Sequence, residues 1–164
     1  SLPAMPLISR AIEPGAGRVT LQWSMPAPAD RVWRGLTAPE ALPLWLGSLS
    51  SGAFTPGSVV SVQHAEGYSC ISEILHCEPP ALLAMTWKFP DEPLSRLRIV
   101  LTQEDRSTRL TLTHEGLGDD SAGYLPGWQA HLLYLEDLLQ GHPRSMAGFW
   151  AVYGELDDAQ TVQG

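Results

Sequence analysis

Several things are scarce in this 164-residue chain, and each scarcity excludes something. Basic side chains are few: 10 Lys and Arg stand against 18 Asp and Glu, for a net charge of −8. An acidic surface repels phosphates, so nucleic acid and anionic membranes are poor partners. There are only two cysteines, Cys70 and Cys77. An odd offset along one strand-like segment sends them to opposite faces, so they should not pair. Two buried free thiols suit a reducing cytoplasm. No apolar run approaches the roughly 20 residues of a membrane helix. The opening SLPAMPLI has no basic region and is broken by Pro3 and Pro6, unlike a secretory signal. Its first residue is serine, as in a processed or trimmed chain. The five histidines make no H-x-x-x-H or H-E-x-x-H spacing and the cysteines no C-x-x-C, so neither a metal nor another cofactor is expected. There is no G-x-S-x-G, no glycine-rich phosphate loop, no internal repeat and no low-complexity tract.

What is present describes one folded domain. Apolar residues make up 44% and charged residues 17%, and the length suffices for a sizeable core. Residues 1–17 are rich in Pro and Gly and read as an N-terminal arm. RVTLQWS (18–24) alternates and predicts a strand. ADRVWRGLT (29–37) has apolar residues at helical spacing. Thr37 followed by Pro39 and Glu40 reads as a capping box opening a second short helix with Leu42, Trp45 and Leu46, stopped at Gly47. Five alternating segments then follow, at 58–64, 68–77, 82–89, 94–103 and 108–115, joined by closely spaced turns. They predict an antiparallel meander. From Tyr124 to Leu139 the apolar spacing becomes 3, 4, 3, 4, an amphipathic helix with Gly141 as its C-terminal stop.

The order strand, two short helices, five strands, long helix implies an α+β domain. One long helix must cover a strongly curved antiparallel sheet. Helix and sheet do not fill the space between them everywhere, so a cavity is expected. In TRLTLTHEGL (108–117), His114 shares a face with Leu110 and Leu112, as if that face met the hollow.

Four segments, in order, resemble one family. PADRVWRGLTAPEALPLWLG, ISEILHCEPPALLAMTW, STRLTLTHEGL and GWQAHLLYLEDLLQG are similar to the motifs of START-like (SRPBCC, helix-grip) domains. The branch they resemble is that of the Aha-type activators of a heat-shock chaperone ATPase. The resemblance covers residues 18–141 and leaves a C-terminal extension, 142–164. It implies a helix-grip fold enclosing a ligand-sized cavity. Relatives bind lipids, hormones or polyketides, some catalyse cyclisation, and one branch docks on a chaperone. Fold alone does not select among these.

The leading expectation is a non-enzymatic module that binds a small hydrophobic or amphipathic molecule. A module that regulates a chaperone ATPase and a polyketide cyclase or aromatase-like enzyme are the alternatives. The expected ligand-binding residues are Trp45, His64, Tyr68, Trp87, His114 and Trp128. Large aromatics at such spacings also serve as plain core, and His64 and Tyr68 also fit an ordinary exposed hairpin. His114 and Glu115 look like a catalytic pair, but adjacent strand residues face opposite ways and cannot act together. In the extension, Phe149, Trp150, Tyr153 and Leu156 suggest a short helix before an acidic tail. It would cover the domain's own sheet or dock on a second copy of the chain.

Overall fold

The alternation of Val19, Leu21, Trp23 and Met25 places all four on one buried face. The same happens at Thr108, Leu110, Leu112 and His114, and at Leu97, Ile99 and Leu101. Strands with one apolar face must share a core. The computed structural model, which describes residues 7–163 with side chains to 159, shows how they do so. The strands are β1 (Leu7–Glu13), β2 (Arg18–Met25), β3 (Ser48–Ser51), β4 (Val59–Ala65), β5 (Tyr68–Glu78), β6 (Leu82–Trp87), β7 (Ser95–Glu104) and β8 (Ser107–Glu115). They form one antiparallel sheet in the order β1-β2-β8-β7-β6-β5-β4-β3. Register shifts interrupt β1–β2, β3–β4, β4–β5 and β5–β6. Such irregularities bend a sheet, here around the helices α1 (Ala29–Thr37) and α2 (Ser121–Leu139). The architecture is the α+β helix-grip fold.

Both sheet edges hold strands that the sequence pattern did not mark. Residues 7–13 of the expected arm pair with β2, and Arg10 reaches across to Gln129 of α2. Residues 1–6 of that arm, like the last residues of the expected acidic tail, lie outside the described side chains.

The capping box at Thr37 does not form. Thr37 is the last residue of α1, and its hydroxyl donates back to the Trp33 carbonyl at 2.9 Å. Ala38, extended before Pro39, instead accepts from the amides of Ala41 and Leu42. The second short helix is reduced to a 3-10 turn at Leu42–Leu44. Pro43 lacks the N–H that a longer helix would need there.

The long helix begins three residues earlier than Tyr124 and ends as expected. Gly141, at φ 81°, donates to Leu138 O and His142 to Asp137 O, the paired bonds of a Schellman stop. The extension forms α3 (Phe149–Gln163), which packs on α2 rather than on the sheet. The Tyr153 hydroxyl donates to Gly123 O at 3.2 Å. Gly123 and Gly127, one turn apart, face Tyr153, where an added Cβ would lie 3.4 Å from its hydroxyl and 3.7 Å from its ring.

Candidate functional site

A cavity of about 420 Å³ lies between the inner ends of β4 to β6, the first half of α2, and the start of α3. His64 comes from β4, where Val60 and Val62 share its inward face. Tyr68 opens β5, and Trp87 and Phe89 come from the end of β6 and the turn beyond it. Tyr124, Trp128 and His131 project from α2 at helical spacing, while Phe149, Trp150 and Tyr153 close the space from α3. Glu92 and Asp120 add carboxylates to the wall. Tyr68 stacks on Phe89 with centroids 4.5 Å apart. His64 meets Phe89, Trp87 and His131 edge to face.

Of the six residues singled out in the sequence, four line this space: His64, Tyr68, Trp87 and Trp128. His64 and Tyr68 are therefore not an ordinary exposed hairpin. The other two do not line it. His114 is fully buried behind Trp87, Trp128 and Tyr124. Its Nδ1 accepts from the Trp128 indole N–H at 2.9 Å, and its Nε2 lies 2.7 Å from Ser95 Oγ. An indole only donates, so Nδ1 carries no proton and Nε2–H donates to Ser95. The Ser95 hydroxyl passes on to Trp87 O at 3.3 Å. His114 thus lies on the leucine face because it pins the wall of the cavity from behind. Trp45 is also core. Its indole donates to Gly35 O at 2.7 Å, and its carbonyl accepts from His131 Nδ1 at 2.7 Å, which orients that ring.

The polar chemistry of the wall was mostly missed by the sequence reading. Burial lowers the pKa of His64 to about 3, helped by His131, and that of His131 to about 4, so both rings are neutral at physiological pH. Burial also raises the Glu92 pKa; the Tyr124 hydrogen bond opposes this, while Asp120 and Asp91 add to it. Tyr124 donates a short hydrogen bond to Glu92 and accepts from the Trp87 indole at 3.0 Å. Burial and Glu92 keep the Tyr124 phenol protonated. Tyr68 donates to Asp91 at 2.7 Å.

Among the described residues, no group of three or more His, Cys, Asp and Glu could hold a metal ion, and no helix is long and apolar enough to cross a membrane. Cys70 and Cys77 are unpaired, the first buried and the second half-buried.

Comparison with solved structures finds this fold repeatedly. CalU16 from Micromonospora echinospora superposes with a TM-score of 0.74 at 24% identity, over 93% of this chain and 92% of its own. DynU16, a protein of the dynemicin biosynthetic locus, gives 0.70 at 30% identity over 77% of this chain, which spans 49% of DynU16. A Bordetella parapertussis protein gives 0.68 at 26% identity, over 88% and 84%. No curated protein matches the chain. The sequence profile of the "Activator of Hsp90 ATPase homolog 1-like protein" family matches residues 26–140, most of the chain, including α1, strands β3 to β8 and α2. The chain therefore belongs to that family, within the START-like (SRPBCC) superfamily.

Proposed function

We propose that this protein binds a small amphipathic molecule in the cavity between the sheet, α2 and α3. One observation carries the reading: the cavity of about 420 Å³ is walled by aromatic rings, with few polar groups among them. This is the usual form of a small-molecule site. Affinity would come from burying apolar ligand surface, at roughly 25 cal/mol per Å² before association costs. DynU16 comes from a biosynthetic locus, which is consistent with a small-molecule ligand. A cyclase-like catalytic reading rests on the Glu92–Tyr124 pair, a carboxyl of raised pKa held against a phenol inside the cavity. Chaperone regulation follows only from the family's name. The unpaired thiols accord with a cytoplasmic protein.

Native mass spectrometry of the freshly purified protein, repeated after denaturation, tests the binding reading. The expected result is a reproducible mass excess that vanishes on denaturation, or that appears when amphipathic aromatic compounds are added. If no compound adds mass and none quenches the fluorescence of the wall tryptophans, the reading fails and a chaperone pull-down becomes the relevant assay. The same spectrum reports whether α3 joins two copies. Turnover lost in Glu92→Gln with binding retained would establish the catalytic reading.

A further inference from the structure

The wall has a consistent charge character that the binding reading does not use. Its acidic groups are two carboxyls: Glu92 within the cavity and Asp120 at its exposed rim. Among the described residues, no arginine or lysine lines it. Lys88 is near enough to Glu92 to act on it, but its ammonium donates to Phe89 O and makes no ion pair among the described residues. The two lining histidines carry no charge, as shown above. A neutral imidazole keeps one lone pair as an acceptor. In His131 the Nδ1–H goes to Trp45 O, leaving Nε2 as that acceptor. The His64 Nε2 is enclosed and has no hydrogen-bond partner among the described residues. The aromatic walls present electron-rich faces, which attract cations.

An anionic ligand would therefore find two carboxyls and no basic side chain in the wall. A neutral ligand would leave Glu92 without a cationic partner inside the cavity. An ammonium group would find a carboxylate, imidazole lone pairs and π faces together. We propose that the cavity selects organic cations: amphipathic or aromatic molecules with a protonated amine, held against Glu92 and the surrounding rings, with His64 accepting one ammonium hydrogen. Part of the argument is independent of the carboxylates, because the electron-rich ring faces also favour a cation over a carboxylate. The overall charge of −8 steers the same class of ligand towards the mouth. This inference rests on the binding reading, and the experiment separates the two.

The test uses three probes on one fluorescent framework, 1-pyrenemethylamine, 1-pyrenemethanol and 1-pyrenecarboxylate, titrated into the full chain. The amine should bind about tenfold or more tightly than the alcohol, and the carboxylate more weakly than either. Glu92→Gln keeps an acceptor for Tyr124, so it should reduce the amine's advantage to about threefold or less and leave the alcohol unchanged. Asp120→Asn, at the exposed rim, should reduce the advantage less and cannot act through folding of the core. Amine and alcohol binding equally, or carboxylate binding best, overturns the cation proposal and leaves the binding reading intact. An amine advantage that stays about tenfold or more in Glu92→Gln also overturns it. Failure of all three probes to bind overturns the binding reading itself.

Discussion

Replacing His114 with leucine tests the account of the wall most directly. Leucine roughly preserves volume, so the change is mainly the loss of two hydrogen bonds. The Trp128 indole N–H, now donating to His114 at 2.9 Å, is left without an acceptor in a site that is 2% exposed. A stranded buried donor costs about 1–3 kcal/mol. Ser95 loses less, because its hydroxyl keeps Trp87 O. The variant should therefore be less stable by about 1–3 kcal/mol at neutral pH, measured by urea unfolding followed by far-UV circular dichroism. The pH dependence is the sharper part. Burial lowers the His114 pKa from 6.5 to about 3 in the folded chain. Between those values the unfolded chain binds the extra proton, so the contribution of His114 is fully present above about pH 6.5 and is lost as pH falls. At 1.36 kcal/mol per unit, the wild type loses about 2 kcal/mol from this residue by about pH 5, and the variant loses none of it. His64 and His131 titrate in both proteins and cancel in the difference. The variant's deficit should thus shrink to near zero at about pH 5. A deficit under about 0.5 kcal/mol at neutral pH, or one of equal size at both pH values, would refute the assigned network.

Three further outcomes follow from the same geometry. Trp128→Phe keeps an aromatic side chain but removes the donor and part of the buried ring; nitrogen-detected NMR should show His114 as the Nε2–H tautomer in the wild type and a changed Nδ1 shift in the variant, with at least about 1–3 kcal/mol lost. Gly47→Ala would place a Cβ 2.6 Å from Gln63 O, a backbone atom that cannot swing aside, so the melting temperature should fall by several degrees, about 2–8 °C for each kcal/mol lost. Burial pushes the Cys70 thiol up to about 11 and also raises Cys77, so a disulfide-exchange reagent should react slowly with the native chain, at Cys77 before Cys70, and with two equivalents after unfolding.

Period and alternation located the central strands and the long helix because those elements bury a whole face, and a buried face imposes its period on the sequence. The edges carry less of that signal. β3 is SLSS, with only Leu49 half-buried, and β1 has a strand on one side alone. The second helix was read from a cap motif, yet Pro43 could not propagate it. For the site, alternation placed His114 on the inner face correctly but could not say what lay in front of it. That depends on where α2 puts Trp128 and Tyr124, residues more distant in the chain. Glu92 was hidden for a similar reason. It sits in PDEP, whose composition reports a turn, and only the packing of Tyr124 against that turn gives the carboxylate a role. The Phe149–Tyr153 spacing did show a helical face, but nothing in it distinguished a cover for the sheet from a wall of the cavity.

The hydrogen bonds around the cavity also constrain what it can recognise. Trp128 spends its indole N–H on His114, and Trp87 spends its own on Tyr124. Tyr124 in turn donates to Glu92, and Tyr68 to Asp91. Each of these large side chains is fixed at its polar edge by the protein itself. An indole has no second donor, so Trp87 and Trp128 can offer a ligand only carbon surface and π faces. The wall is thus satisfied and pre-ordered without a ligand, which lowers the cost of binding. What remains for a ligand is small and specific: the Nε2 atoms of His64 and His131, and the carboxylates of Glu92 and Asp120. Selectivity must come from these groups, because the large aromatic side chains have already committed their polar atoms.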